Sequence, residues 1–371
     1  MIERKYVLSP CGTSLLTNGV SPEDRRLLVN FTNVRNSEEV PAQERSRIQN
    51  IIDKKKELLE VAGIGEAKKM SAEINGITVL YDNSFANAGG DYHVLLSTDT
   101  WLGEETAKLV QMWLEKQNRE IIVLPYRQLD LQTENMLLFQ LSLSDVIRRL
   151  SSEIPVYRKR GYKIFFNLTG GFKSVVGFLQ SISSFYADEA VYIFESSNHL
   201  MRIPKLPVTM DTVSVVVGNL DSFRRIYLDL PVDDMKNIPE ILFFTMEGQT
   251  IFSAWGEVIW NDAKSKIYSE KLLPSPMPEK IKYGKSFEKT VASLPDDRIE
   301  KINNRVDELS RFVRDKKRNL KSLDFKQLVD AKAMSPSTHE MDAWSDGDAR
   351  RIYGHYEGEV FILDKLDKAL H

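Results

Sequence analysis

The chain has 371 residues, of which 42% are hydrophobic and 28% charged, a balance that fits two or three globular domains and excludes collagen-like, disordered and disulfide-stapled classes. Lys+Arg 50 against Asp+Glu 53 gives a formal net charge of -3, so any site for nucleic acid or another anion has to be local. The single cysteine, Cys11, rules out an internal disulfide and a multi-cysteine zinc site and suits a reducing compartment. No apolar run reaches the roughly 18 to 20 residues of a membrane helix, and the charged start leads into no secretion signal; a cytoplasmic protein with no membrane partner is expected.

The first two hundred residues alternate short apolar runs with amphipathic stretches. Strands are predicted at Tyr6–Leu8, Tyr92–Ser97, Glu120–Pro125, Lys163–Asn167 and Ala190–Glu195, with helical patterns at Gln43–Glu60, Glu104–Gln117 and Leu141–Ser152. Strand and helix repeated in this way predict an α/β fold, an open and mostly parallel sheet with right-handed crossovers. In such sheets ligands collect beyond the carboxyl ends of the strands.

Two of those strand ends carry suitable chemistry. After the first strand comes Ser9-Pro10-Cys11-Gly12-Thr13-Ser14-Leu15-Leu16, and after the fourth Asn167-Leu168-Thr169-Gly170-Gly171-Phe172-Lys173-Ser174. Each is a glycine turn entering a helix, and together they offer backbone N–H groups, hydroxyls and one ammonium to an anion such as a phosphodiester. Taken singly, each also reads as an ordinary capped strand-to-helix turn. Neither has the spacing of a P-loop or of the dinucleotide fingerprint.

With the stretches Ser71-Ala72-Glu73-Ile74, His93-Val94-Leu95-Leu96 to Thr98-Asp99-Thr100, and Tyr192-Ile193-Phe194-Glu195 followed by Ile203-Pro204-Lys205-Leu206-Pro207, these turns resemble the CRISPR-associated Rossmann-fold (CARF) sensor domain over about residues 1–208. The resemblance implies a two-fold homodimer that binds a cyclic oligoadenylate, usually a ring of four or six nucleotides, as allosteric activator. A symmetric ring suits an isologous interface in which each protomer presents the same turn. It further implies that Gly12, Thr13 and Ser14, with Asn167, Thr169, Gly170, Gly171 and Lys173, line the ring. In some members the serine and lysine positions also cut the ring slowly.

Residues 209–284 read as a small connector domain. Ile241-Leu242-Phe243-Phe244 is apolar, Trp255-Gly256 to Trp260 is a helix candidate whose tryptophans are packing residues, and Leu272-Leu273-Pro274-Ser275-Pro276-Met277-Pro278 has the texture of a linker. In the tail, residues 285–371, Phe287, Val291 and Leu294 and then Ile299, Ile302, Val306, Leu309 and Val313 predict two amphipathic helices divided near Pro295-Asp296-Asp297. Arg350–Tyr356 and Glu359–Leu363, separated by Glu357-Gly358, predict a β-hairpin, which makes the tail α+β.

Charge is concentrated in the tail between Arg311 and Lys326, where Arg311, Arg314, Lys316, Lys317, Arg318, Lys321 and Lys326 face only Asp315 and Asp324. Such a run grips a phosphate backbone, or is a solvated helix end complementing the dipole. On an extended strand Arg351, Tyr353 and His355 share a face while Ile352 points to the core. A guanidinium, a phenol and an imidazole together are the groups that metal-free RNA cleavage uses.

This layout resembles the RelE family of mRNA interferase toxins over roughly residues 285–371: Phe287 at the helix start, the basic stretch, Arg351-Ile352-Tyr353, Val360-Phe361-Ile362-Leu363 and the terminal Lys365, Lys368 and His371. The resemblance implies an endoribonuclease that needs no metal or cofactor for catalysis and acts on mRNA at the ribosome, with no DNA partner. Arg351, or Arg350 in the alternative register, would stabilise the phosphate, Lys326 and Lys332 fall where that family places strand lysines, and His355, Tyr353 or His371 would move protons. The chain departs from the family in four acids, Glu340, Asp342, Asp346 and Asp348, just before the arginine pair. Two other readings are weighed: Arg350 and His355 have the Arg-x4-His spacing of HEPN ribonucleases, and a non-enzymatic CARF transcription regulator would make the middle segment a winged helix.

Overall fold

A computed structural model of the chain describes residues 3–132, 134–194, 199–205, 210–232, 235, 237–328 and 334–368. The chain divides into two compact units, Met1–Thr209 and Met210–His371.

The first unit is built on a six-stranded sheet of β1 (Arg4–Cys11), β2 (Tyr92–Ser97), β3 (Ile122–Arg127), β4 (Tyr162–Asn167), β5 (Glu189–Ile193) and β6 (Leu200–Pro204). The spatial order is β3-β2-β1-β4-β5-β6, parallel throughout except for β6, which runs antiparallel to β5. This is the open, Rossmann-like α/β arrangement expected, and the order reverses direction between β1 and β4. Both faces of β1 are covered, Tyr6, Val7 and Leu8 being fully buried, which is why its sequence reads as a continuous apolar run rather than an alternation.

Three helices exceed their predicted bounds. Trp101–Gln117 begins three residues early because the Thr100 hydroxyl caps it, accepting from Gly103 N at 3.2 Å. The pattern Gln43–Glu60 becomes Ala42–Val61. The predicted Leu141–Ser152 becomes Met136–Lys159 and runs through Pro155. A proline ordinarily ends a helix; here the last turn is held by Ile154, which is buried, and by Tyr157, whose ring packs 4.9 Å from Tyr6 and 4.8 Å from Tyr92.

The second unit holds both the middle segment and the tail. Hairpin β7 (Phe243–Met246) and β8 (Gln249–Phe252) precedes the helix Ala254–Glu270. Trp260 is fully buried against Phe223, Phe252 and Tyr268, a packing role. Arg224 (3% exposed) pairs with Asp307 (2%) at 2.6 Å, and Tyr268 donates to the same carboxylate at 2.5 Å. Asn303 donates to the Tyr268 and Lys271 carbonyls and accepts from Leu273 N, while Arg224 also donates to the Pro274 carbonyl. The proline-rich stretch is therefore pinned to the helix Asp296–Arg314 by a buried polar network.

The tail folds as the expected two helices, Lys285–Val291 and Asp296–Arg314, on a sheet. That sheet is larger than the predicted hairpin: β9 (Ile281–Tyr283), β10 (Lys326–Gln327), β11 (His339–Trp344), β12 (Arg350–Glu357) and β13 (Val360–Lys368) lie in the order β10-β11-β12-β13-β9. Pairings are antiparallel except that β9 is parallel to β13. Ile281, Phe287, Val306, Met341, Ile352, Phe361 and Leu363 form the core between helices and sheet. Among the described residues no helix is long and apolar enough to cross a membrane.

Candidate functional site

The β1 and β4 turns meet at the point where the strand order reverses. Gly12 sits so close to Gly171 that a Cβ on it would lie 3.2 Å from the Gly171 Cα, and Gly171 itself has φ +104, a left-handed value that disfavours any side chain. Two glycines thus let the turns touch, which brings the end of β1 onto the start of the helix Lys173–Tyr186. That helix has no side-chain cap and no acid in its first turn, so its first N–H groups and positive dipole end are open to an anion. Lys173 is exposed and makes no hydrogen bond or ion pair among the described residues. Thr169 Oγ1 is buried with no hydrogen-bond partner among the described residues.

Two predicted lining residues are placed otherwise. Asn167 is fully buried and ties the strands, donating to Ser9 Oγ and to the Glu73 carbonyl, both at 3.3 Å; its side chain is part of the scaffold. Ser14 is half-buried, with its hydroxyl donating to Glu73 at 2.9 Å and accepting from Ala72 N at 3.2 Å. Its single proton is therefore engaged.

Glu73 is the residue the motif reading left without a role. Fully buried at the start of the helix Ala72–Leu80, it accepts from Gly12 N at 2.9 Å, Ser14 Oγ at 2.9 Å and Ser71 Oγ at 2.6 Å. A Cβ on Gly170 would collide with it. One carboxylate thus organises both turns. The signal was present as a lone charge in the apolar run Ala72-Glu73-Ile74-Asn75-Gly76-Ile77, since a buried acid needs donors around it. Thr98, Asp99 and Thr100, by contrast, are structural: Thr100 caps a helix, and Asp99 pairs with Arg127 at 2.8 Å and Arg35 at 3.4 Å.

In the tail, Arg351, Tyr353 and His355 do share the outer face of β12 while Ile352 enters the core, but their surroundings differ from the expectation. Arg351 is held by Glu340 at 2.5 Å, Asp324 at 2.8 Å and Asp342 at 2.9 Å, so its guanidinium is already neutralised. Lys326 joins the same group through Asp324 at 2.6 Å and Glu340 at 4.0 Å. Tyr353 is fully buried beneath Leu328 and Met334, its hydroxyl donating to the Lys368 carbonyl at 3.0 Å. Burial and, after it, Glu340 raise its pKa, which removes it as an acid–base candidate. Arg350 lies beside Asp348 at 3.2 Å and over Trp344, so Arg351 is the arginine that shares a strand face with His355. Lys332 and His371 lie outside the described residues.

His355 is 17% exposed, and its Nδ1 lies 2.9 Å from the Asp364 carboxylate and its Nε2 3.4 Å from Glu357. The hydrogen bond to Asp364 first, and then its charge with that of Glu357, raise the imidazole pKa above 6.5. Within the basic stretch, Arg311 donates to the Tyr227 carbonyl at 2.6 Å, capping the helix Leu220–Tyr227, and Arg314 donates to the Asp229 carbonyl just beyond it. Lys316 covers Phe312 and Tyr356, and the Arg318 side chain is outside the description. Part of the run is therefore structural. Arg350 and His355 stand on one strand, not on the long helix that a HEPN site requires, and the HEPN reading is set aside.

The open, mostly parallel six-stranded sheet gives the first unit a Rossmann-like α/β fold, with the two glycine turns at the point where its strand order reverses. Residues 68–206 match the family described as CRISPR-associated protein (Cas_APE2256). This stretch, well under half of the chain, is thus similar to a CRISPR-associated, CARF-type domain; it takes in Glu73, β2 to β6 and the Gly170–Lys173 turn, while β1 and residues 210–371 lie outside the match. No curated protein matches the chain.

Proposed function

We propose that the protein is a homodimeric sensor for a cyclic oligoadenylate, in the four-nucleotide form first of all, and that the bound ring switches on a metal-independent endoribonuclease of RelE type in residues 285–371, directed at mRNA on the ribosome. The observation that carries the sensor half is the meeting of the Gly12 and Gly171 turns beside the uncapped helix that bears Lys173. These groups suit a phosphodiester, and a symmetric ring suits two copies of the same turn. The similarity of residues 68–206 to a CRISPR-associated family supports the same reading.

For the nuclease half, support comes from two helices on a small antiparallel-rich sheet whose outer face bears Arg351 and His355. The carboxylates around Arg351 suit an enzyme that relies on the ribosome to present its substrate, because they weaken attraction for free RNA. Ring binding favours the active state only by its higher affinity for that state. Slow cleavage of the ring belongs to the same proposal, with Ser14 and Lys173 as the residues to vary.

The test is a panel of ring sizes added to the full chain with mRNA either on ribosomes or free. Ring-dependent cleavage of ribosome-bound mRNA, leaving 2′,3′-cyclic phosphate and 5′-hydroxyl ends, is expected. Efficient cutting of bare RNA with none on ribosomes overturns the interferase reading, and activity indifferent to every ring overturns the sensor.

A further inference from the structure

We infer that His355 is the proton-transfer group of the tail and that Asp364 is its positioning residue, an inference that rests on the ribonuclease reading above and names the centre of its chemistry. Strands β12 and β13 pair as Glu357↔Val360, Tyr356↔Phe361, His355↔Ile362 and Gly354↔Leu363, and then skip to Tyr353↔Lys365. Asp364 is the residue without a partner, a one-residue bulge in β13. The bulge returns Leu366 to the core opposite Ile352 and turns Asp364 toward His355.

The result is a dyad with a fixed geometry. Both Asp364 oxygens lie within 3.0 Å of His355 Nδ1, and Oδ2 also accepts the Ser337 hydroxyl at 2.7 Å. A carboxylate on Nδ1 holds the proton there and leaves Nε2 as the working nitrogen. The charged groups facing the ring are Asp364 from β13 and Glu357 from β12, the latter 69% exposed and beside Nε2; Ser337, just before β11, touches Asp364 rather than the ring. Arg351 stands on the same face of the same strand. His339 is no rival: its Nδ1 is 2.8 Å from Thr338 Oγ1, and its ring stacks on Phe325 beside Phe361.

The step balances without a further reactant. His355 Nε2 takes the 2′-hydroxyl proton as that oxygen bonds to phosphorus, the bond from phosphorus to the 5′-oxygen breaks, and the 5′-oxygen takes one proton from water. A cyclic phosphate and a 5′-hydroxyl result, and His355 returns its proton to solvent. Asp364 holds the ring and its tautomer in place and stabilises the imidazolium that forms.

The experiment is the single-turnover rate of ribosome-bound mRNA cleavage by the ring-activated full chain from pH 5 to 9. In the wild type the rate rises with pH as His355 loses its proton. In Asp364→Asn the rate falls at least about tenfold and the rising limb moves to lower pH, because the neighbouring charge that raised the imidazole pKa is gone; Asp364→Glu recovers part of both. His355→Gln abolishes the limb. A wild type that cleaves, with Asp364→Asn matching it in rate and limb, overturns the inference and leaves the ribonuclease reading standing. A wild type that cleaves neither ribosomal nor free RNA overturns both. Should Asp364→Asn fail to fold, His355→Gln decides alone, and wild-type activity in it refutes the inference.

Discussion

Replacing Glu73 by glutamine separates two effects of opposite sign. The carboxylate accepts three hydrogen bonds, from Gly12 N and from the Ser14 and Ser71 hydroxyls. Glutamine keeps one acceptor oxygen, which Gly12 N–H requires, and turns an NH2 toward two hydroxyls that already accept from Ala72 N and Ile74 N. Both hydroxyl protons then lose their acceptor. Exchanging charge-assisted bonds of about 1.5–3 kcal/mol for neutral ones of about 0.5–1.5 kcal/mol, with donors stranded in a buried site, costs about 2–4 kcal/mol in all. For a unit of this size that is a drop in melting temperature of roughly 5–15 °C. The anion seat gains by the same change. A negative charge near a phosphate on the Gly170–Lys173 turn opposes binding by about 1–3 kcal/mol for separations of about 6–15 Å at an effective dielectric of about 20, so Glu73→Gln should bind a cyclic oligoadenylate about 5- to 150-fold more tightly. Differential scanning calorimetry and isothermal titration with the ring read the two effects separately. An unchanged melting temperature with equal or weaker ring binding would show that Glu73 neither organises the turns nor faces the ligand.

Lys173→Ala should weaken ring binding about 10- to 100-fold, the value of a charge-assisted contact, with the melting temperature unmoved because the side chain is exposed and has no partner among the described residues; wild-type affinity by titration refutes its role. His93, buried at the start of β2, has its pKa lowered to about 3 by burial and then by Lys5. Between pH 3 and 6.5 the unfolded chain binds a proton that the folded unit excludes, so this stabilisation, roughly 3–5 kcal/mol, is complete above pH 6.5 and lost as pH falls toward 3. His93→Gln should flatten urea-unfolding stability across that window, and a slope equal to the wild type's argues against it. Asp307→Asn leaves Arg224 charged and buried, at about 3–5 kcal/mol; a chemical-denaturation midpoint within error of the wild type's refutes the network. Asp324→Asn, Glu340→Gln and Asp342→Asn together remove the three carboxylates that hold Arg351 and should steepen the salt dependence of binding to free RNA, by about one unit of log–log slope; an unchanged slope shows that Arg351 meets no phosphate.

The sheet of the first unit was legible because its central strands β1, β2 and β4 are largely buried on both faces and therefore read as apolar blocks between amphipathic stretches. The antiparallel β6 was not, since Leu200-Met201-Arg202-Ile203-Pro204 is an edge strand with three exposed residues, and an edge needs no continuous apolar run. The turns at Gly12 and Gly170-Gly171 were visible as glycine and hydroxyl clusters after strands. Which of their side chains are free was not visible, because Asn167, Ser14 and Thr169 offer the same polar atoms in sequence whether they face solvent or the buried Glu73. Long-range partners such as Gly12 and Glu73, 61 positions apart, leave no local periodicity.

The tail carried a finer signal that a motif reading passes over. In His339-Glu340-Met341-Asp342-Ala343-Trp344 the apolar residues Met341 and Ala343 alternate with Glu340 and Asp342, the period of a half-buried strand. Those acids therefore belong to a strand face, and pairing β11 with β12 sets Asp342 opposite Arg351 and Glu340 opposite Tyr353. The same arithmetic locates the bulge. Core residues Phe361 and Leu363 are two apart, but the next, Leu366, is three further on, and a strand keeps its faces across a spacing of three only by setting one residue aside. That residue is Asp364, so the spacing that interrupts the alternation is also what brings a carboxylate to the imidazole of His355.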